Sequence, residues 1–134
     1  MKLVKLIEFP YLEESNGDLV VVEGDIIPFN VSRVFTVRAS KGSVRGQHAH
    51  RHCSQILICT NGVIEVKCDD SRTTEKYVLD KANFGLYIPP GIWGYQKYTE
   101  ENTTLTVLCD RPYEEADYIR NYDDFKLFSK QIIG

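Results

Sequence analysis

Gly42-Ser43-Val44-Arg45-Gly46-Gln47-His48-Ala49-His50 is the stretch from which the fold is read. On an extended strand, residues two apart point to the same face. His48 and His50 therefore aim two imidazoles into one space, with Ala49 opposite and Arg45 close by. A single histidine is most simply a packed or surface residue. Two on one face, behind a glycine-rich turn, point to a functional site. His52 shares that face only if the strand continues so far.

The segments outward from it are strand-like. Residues 31–38 alternate, with Val31, Arg33, Phe35 and Val37 on one side and Val34, Thr36 and Arg38 on the other. Gln55-Ile56-Leu57-Ile58-Cys59 is a short apolar run, and Asn61-Gly62 after it reads as a hairpin turn. Residues 63–68 return with Ile64, Val66 and Cys68 together on one face. Further strands are expected at 19–22, after the turn signal Ser15-Asn16-Gly17-Asp18, and at 77–79, 84–88 and 104–109. Asp69-Asp70-Ser71 and Pro89-Pro90-Gly91 read as turns. Helix is expected only near the end, a turn or two in each of 113–118 and 123–130. Many short strands at even spacing predict an all-β chain, a sandwich or small barrel.

Composition sets the bounds. The chain has 134 residues, 43% hydrophobic and 26% charged, which predicts one domain spanning 1–134. A net charge of −3 gives no support for nucleic-acid binding or for a basic membrane-surface protein. No apolar run approaches the roughly 20 residues of a membrane span. Met1-Lys2-Leu3-Val4-Lys5 lacks the apolar core and cleavage site of a signal peptide, so a cytoplasmic location is expected. Cys53, Cys59, Cys68 and Cys109 show no CxxC spacing and read as free buried thiols. Cys53, near the histidines, is the one thiol placed to be a nucleophile.

A second segment, Gly85-Leu86-Tyr87-Ile88-Pro89-Pro90-Gly91-Ile92-Trp93, joins the first to form a pair. Together they resemble the two motifs of a cupin, a double-sheet jelly-roll barrel; one or two short C-terminal helices complete the expected fold. The cupin metal site uses the two histidines, a glutamate and a second-motif histidine. Here those last two positions hold Gln55 and Gly94. Two imidazoles without a carboxylate seldom hold a divalent ion tightly, so no metal is expected. His48 and His50 are then candidates for acid–base work or for contacting an anionic ligand.

A narrower resemblance rests on Arg33-Val34-Phe35, on Arg45-Gly46-Gln47-His48-Ala49-His50-Arg51, on the second motif, and on Asp117-Tyr118-Ile119-Arg120-Asn121-Tyr122-Asp123-Asp124-Phe125. From about Gly17 to Phe128 the chain is similar to the metal-independent cupins of the sugar 3,4-ketoisomerase family, also called WxcM-like. The resemblance implies an isomerase that moves a keto group from C4 to C3 of a dTDP-4-keto-6-deoxyhexose through an enediol, for deoxyamino sugars of surface glycans. It implies no cofactor, and a homodimer that exchanges N-terminal strands. It places the catalytic pair on His48 and His50. Arg45 is a candidate to stabilise an enediolate or to bind the diphosphate, since a guanidinium offers a planar fork of donors, and Arg33 and Arg51 are further candidates for the diphosphate. Gln55, Trp93 and Tyr95 complete the candidate substrate contacts. Three positions depart from the family pattern: Asn16 for an arginine, Phe35-Thr36 where many members have a tyrosine, and Gly94 for a histidine. Those departures keep two other readings open, a non-catalytic nucleotide-sugar-binding cupin and a related tautomerase or epimerase.

Overall fold

The structure is a computed structural model that describes residues 3–133, with side chains through Gln131. Met1 and Lys2 of the N-terminal stretch lie outside the described residues. Among the described residues twelve strands run in chain order: β1 Lys5–Glu8, β2 Tyr11–Glu14, β3 Gly17–Val20, β4 Arg33–Ala39, β5 Val44–His50, β6 Gln55–Asn61, β7 Ile64–Asp69, β8 Thr74–Leu79, β9 Phe84–Ile88, β10 Trp93–Tyr98, β11 Thr103–Cys109 and β12 Tyr118–Ile119. Helix α1, Tyr122–Ile133, closes the chain. Two five-stranded antiparallel sheets, β1-β9-β6-β11-β4 and β12-β5-β10-β7-β8, form the body, and β2-β3 is a separate ribbon. The fold is all-β and cupin-like, as expected, although the two sheets are not hydrogen-bonded into a closed barrel.

The principal core lies between the sheets. Leu57, Cys59, Leu105 and Val107 come from one and Ile64, Val66, Cys68 and Tyr98 from the other. The run in β6 is apolar throughout because both of its faces are covered. Leu57 and Cys59 join the central core, while Ile56 and Ile58 join Phe9 and Leu108 under the segment carrying Val22, Ile26 and Phe29. On the outside of the other sheet, Ala49 and Ile119 pack against Phe125 of α1. The four thiols are free and buried.

Two expectations are corrected. Asn61-Gly62 is not a hairpin turn: β6 pairs with β9 and β11, whereas β7 pairs with β8 and β10. The dipeptide is a corner that carries the chain from one sheet to the other. Gly62 adopts φ 84°, and a Cβ there would lie 2.3 Å from the Thr103 hydroxyl, so the tight corner requires glycine. The segment 113–118 is also not an α-helix. It forms one 3-10 turn, Glu115–Asp117, and then pairs as β12 with β5 through Tyr118 to His50.

Candidate active site

A cavity of about 280 Å³ opens between the sheets. Arg33, Phe35 and Val37 reach it from β4, in the alternation expected, and Gln55 and Leu57 from β6. The other sheet supplies Arg45, Gly46, Gln47 and His48 from β5, Gln96 and Tyr98 from β10, and Tyr118 from β12. Arg120, just beyond β12, completes that wall.

Arg45 and His48 are three residues apart, so a regular strand would put them on opposite faces. A β-bulge resolves this. His48 pairs with Gly94, but Arg45 pairs with Gln96, so β5 spends one residue more than β10 over the interval. Gly46 sits in the bulge at φ 74°, with the Gln96 side chain folded over its bare Cα. The extra residue restores Arg45 to the histidines' side of the sheet.

His50 lies one layer deeper than His48, against a smaller cavity of about 20 Å³ that it shares with His48, Cys53, Gln55 and Gln96. Its Nδ1 is 2.7 Å from Oδ2 of Asp117, and both residues are under a tenth exposed. The other Asp117 oxygen accepts the backbone N–H groups of His52 at 2.6 Å and Cys53 at 3.3 Å. Burial pushes the Asp117 carboxyl up, but these hydrogen bonds outweigh it and hold it below its ordinary value. An ionised Asp117 is an acceptor, so His50 carries its proton on Nδ1 and leaves Nε2 bare. That Nε2 is buried with no hydrogen-bond partner among the described residues. Burial lowers the His50 pKa, opposed by the Asp117 hydrogen bond. Burial, with repulsion from His50 and Arg120, lowers that of His48 to about 4. Both imidazoles are therefore neutral at pH 7. Their ring centroids are 5.0 Å apart, and the Tyr118 ring lies 4.9 Å from His48 and 4.5 Å from His50.

The mouth is cationic. Arg33 is sandwiched between the rings of Phe35, at 4.5 Å, and Tyr113, at 5.2 Å. Arg120 forks onto Glu115 at 2.7 and 2.9 Å and covers the Tyr118 ring. The Tyr113 hydroxyl also donates to Glu115.

Of the residues singled out in the sequence, the fold gathers His48, His50, Arg33, Arg45 and Gln55. It does not bring Arg51, Trp93 or Tyr95 to this cavity. Arg51 is exposed and lies 5.4 Å over the Phe128 ring. Trp93 and Tyr95 alternate with Gly94 and Gln96, so they face the outside of the sheet. Trp93 packs on Phe125 and Tyr122, and Lys67 lies over the Tyr95 ring. His52 lies beyond the end of β5 and contributes its backbone N–H to Asp117. The Cys53 thiol is pushed up by its hydrogen bond with Cys109 and by burial, which disfavours the thiolate a nucleophile requires.

Asp117, Tyr118, Arg120, Gln96 and Tyr98 were not singled out as site residues. For the first three a signal existed: the Asp117-Tyr118-Ile119-Arg120 motif, whose alternation puts Tyr118 and Arg120 on one side.

At the departures from the family pattern, Phe35 faces the cavity while the Thr36 hydroxyl turns outward to Thr106, at 3.5 Å. A Cβ on Gly94 would lie 2.3 Å from the carbonyl oxygen of Lys67, so this backbone leaves no room for a histidine there. Three other donors, on His50, Cys53 and Asp117, lie within 4.8 Å of one another. A metal among them would have to break the His50–Asp117 hydrogen bond and strip a thiol whose proton is held tightly, which is a poor fit.

This geometry has close counterparts. A family model described as "FdtA: WxcM-like, C-terminal" matches residues 2–130. The TDP-4-oxo-6-deoxy-alpha-D-glucose-3,4-oxoisomerase of Aneurinibacillus thermoaerophilus is 37% identical over 130 residues, covering 96% of this chain and 94% of its own. The sugar 3,4-ketoisomerase QdtA of Thermoanaerobacterium thermosaccharolyticum, solved with TDP, superposes with a TM-score of 0.95 at 33% identity over 100% of this chain and 99% of that one. A His-to-Asn variant of QdtA, solved with TDP-4-keto-6-deoxyglucose, gives 0.93 at 33% identity over 98% and 96%. With its motifs, its fold and nearly its whole length matched, the chain belongs to the FdtA family of WxcM-like, C-terminal proteins.

Proposed function

We propose that this protein is a metal-independent 3,4-ketoisomerase acting on TDP-4-keto-6-deoxyglucose. The observation that carries the reading is the buried Asp117–His50 pair beside a second neutral imidazole, in a cavity with three arginines around it. The relatives named above act on or bind that class of ligand.

The residues suit the chemistry. His50 presents an unprotonated Nε2 and takes the proton from C3. The C–H electron pair forms the C3=C4 double bond, and the C4 carbonyl π pair moves to its oxygen. That oxygen is protonated, giving the enediol. In the second half the C3 hydroxyl loses its proton, its electrons form the C3 carbonyl, and C4 receives a proton. Nothing is oxidised or reduced overall. His48, neutral and able both to donate and to accept, is suited to carry the proton between the two oxygens. Arg45 and Arg120 favour the enediolate charge, and Arg33 with them favours the diphosphate. Tyr118, against both histidines, holds their ring planes.

Proton NMR in D2O with TDP-4-keto-6-deoxyglucose tests this. The expected result is a 3-keto sugar carrying deuterium at carbon. Binding without exchange or product would favour the non-catalytic binding reading instead.

The active form we propose is a homodimer that exchanges its N-terminal ribbon, in a reducing cytoplasmic setting compatible with four free thiols. Among the described residues the β2-β3 ribbon joins neither sheet, and it exposes Leu12 and Leu19 at 55% and 53%. Such an apolar ribbon is stabilised by pairing with a second copy. Asn16 lies in the turn at its tip and is not among the residues that line the cavity, so in an exchanged dimer the family's arginine position would be carried on the exchanged ribbon. Light scattering should give twice the chain mass at micromolar concentration; a monomer there would rule the exchange out.

A further inference from the structure

Gly46, His48, Gln55 and Gln96 line both the large cavity and the small recess that holds His50. They stand where the two spaces meet. Gly46 has no side chain, and His48 already has a role in the proposed reaction. Gln55 donates from Nε2 to the Cys109 sulfur at 3.5 Å. Gln96 is unexplained. Its side-chain amide makes no hydrogen bond to the described residues. The residue is half-buried, and neither amide atom is sealed off, so a ligand in the cavity can reach them.

The strand explains why a long polar side chain sits here. Gly94 stands opposite His48, and its backbone leaves no room for a side chain. Gln96 is the next residue of β10 on that face, opposite Arg45. The bulge leaves the bare Cα of Gly46 beneath it, and the amide lies across that gap. A Cβ on Gly46 would fall 2.2 Å from Gln96 Oε1 and 3.0 Å from its Nε2. The amide therefore rests on backbone at the rim of the recess that holds both imidazoles. A primary amide carries two N–H donors and one acceptor and no charge, so it does not serve as a base. It can hydrogen-bond a carbonyl oxygen, and it binds that oxygen more strongly once the oxygen becomes an anion. In the proposed reaction such an anion develops when C3 loses its proton and the C4 carbonyl π pair moves onto its oxygen. Phe35 and Gly94, two of the departures from the family pattern, offer that oxygen no side-chain donor.

We propose that Gln96 is a further catalytic residue of this chain: its amide N–H hydrogen-bonds the C4 oxygen of the keto sugar, and that bond strengthens as the enediolate forms. It does so beside Arg45, its partner across the ladder, which supplies the positive charge that the amide lacks. This inference rests on the ketoisomerase reading above.

Steady-state turnover of TDP-4-keto-6-deoxyglucose by the full chain, followed by proton NMR in D2O, tests it alongside calorimetric titration with TDP. Gln96→Met keeps the length of the side chain and removes its donors. It should lower kcat about 100-fold and leave the affinity for TDP unchanged. Deuterium exchange at C3 of the substrate should fall in step, because the charge is met before the enediol forms. Gln96→Glu, equal in size to the wild-type residue, sets a carboxylate against the developing charge and should lower kcat further. A residue that only covers Gly46 is replaced by methionine at no cost to kcat, so a wild-type kcat in Gln96→Met overturns the proposal. So does a raised KM with kcat unchanged, or C3 exchange at the wild-type rate with product formation lost. If Gln96→Met loses TDP binding as well, its cavity is reshaped and Gln96→Glu decides. A wild-type kcat there overturns the proposal, and a fall of about 100-fold or more supports it. A wild-type protein that binds TDP but forms no 3-keto sugar refutes the ketoisomerase reading itself, and this inference with it.

Discussion

Asp117 holds Nδ1 of His50 at 2.7 Å across 67 residues of sequence, from a 3-10 turn to the end of β5. In the proposed reaction this contact would give the two imidazoles different jobs. His50, with one nitrogen committed to a carboxylate and the other bare, would be the base. His48, which has no carboxylate hydrogen-bond partner among the described residues and is kept neutral by burial, would pass protons between oxygens.

Asp117→Asn should lower kcat by about 100- to 10,000-fold, because an amide no longer enforces the productive tautomer or steadies the imidazolium. KM should change little, since Asp117 lies behind His50 rather than in the cavity lining. The carboxylate is also what opposes the downward push of burial on His50. Its loss should move the acid limb of kcat/KM to lower pH. A purely structural role would leave that limb where it was, so an unshifted profile argues against the assignment.

His48 also links stability to pH. Its pKa is about 4 in the folded protein against 6.5 ordinarily, so between those values the unfolded chain binds more protons. Stability is therefore complete above pH 6.5 and is lost progressively as pH falls toward 4. The loss is about 2 kcal/mol, discounted for partial solvent access. Carboxylates held low, such as Asp117, add their own losses further into acid. Thermal melts of His48→Asn and wild type isolate the histidine. The variant should lose less stability between pH 6.5 and 4, and parallel curves would contradict the linkage.

The bulge at Gly46 is a third point of attack. Alanine there faces φ 74° and a Cβ 2.2 Å from Oε1 of Gln96. The long Gln96 side chain can move aside, so we expect a modest stability cost of about 1–2 kcal/mol from the backbone. Function should suffer more, because the bulge sets Arg45 on the same face as His48 and seats Gln96 beside them. Gly46→Ala should lower kcat/KM at least tenfold with the fold intact by circular dichroism. Wild-type kcat/KM would show that the bulge does not position Arg45.

Much of this was legible in the sequence where the information is local. The inward set Arg33, Phe35 and Val37, the facing Ile64, Val66 and Cys68, and the pairing of His48 with His50 all follow from a period of two, and the structure keeps them. What was not legible is non-local. Asn61-Gly62 has hairpin chemistry, but whether two strands pair or diverge depends on partners elsewhere, here β9 and β11 against β8 and β10. The strand Tyr11–Glu14 escaped notice because it is exposed throughout and shows no apolar alternation. Asp117 lies in a motif that the sequence shows, but its partner does not: only the fold brings it to His50. Trp93 and Tyr95 illustrate the reverse: aromatic character suggested ligand stacking, while simple alternation with Gly94 already placed them on the other face.

Gly94 gives the last prediction. It occupies the position of the second-motif histidine in metal-binding cupins, and its backbone lies so close to β7 that a Cβ would come within 2.3 Å of the Lys67 carbonyl oxygen. Unlike the Gln96 side chain near Gly46, that oxygen belongs to a strand hydrogen-bonded on both sides, to β8 and β10, and cannot swing away. Gly94→Ala should therefore cost about 1–3 kcal/mol, a fall in Tm of roughly 5–10 °C. Gly94→His should cost at least as much and should not gain stoichiometric zinc, because its side chain meets the same obstruction and Gln55 still offers an amide rather than a carboxylate. Calorimetric melts with metal analysis of both variants check this. A stable, zinc-loaded Gly94→His protein would mean that β7 yields at Lys67, and that the missing histidine, rather than the backbone, is what separates this site from a metal-binding one.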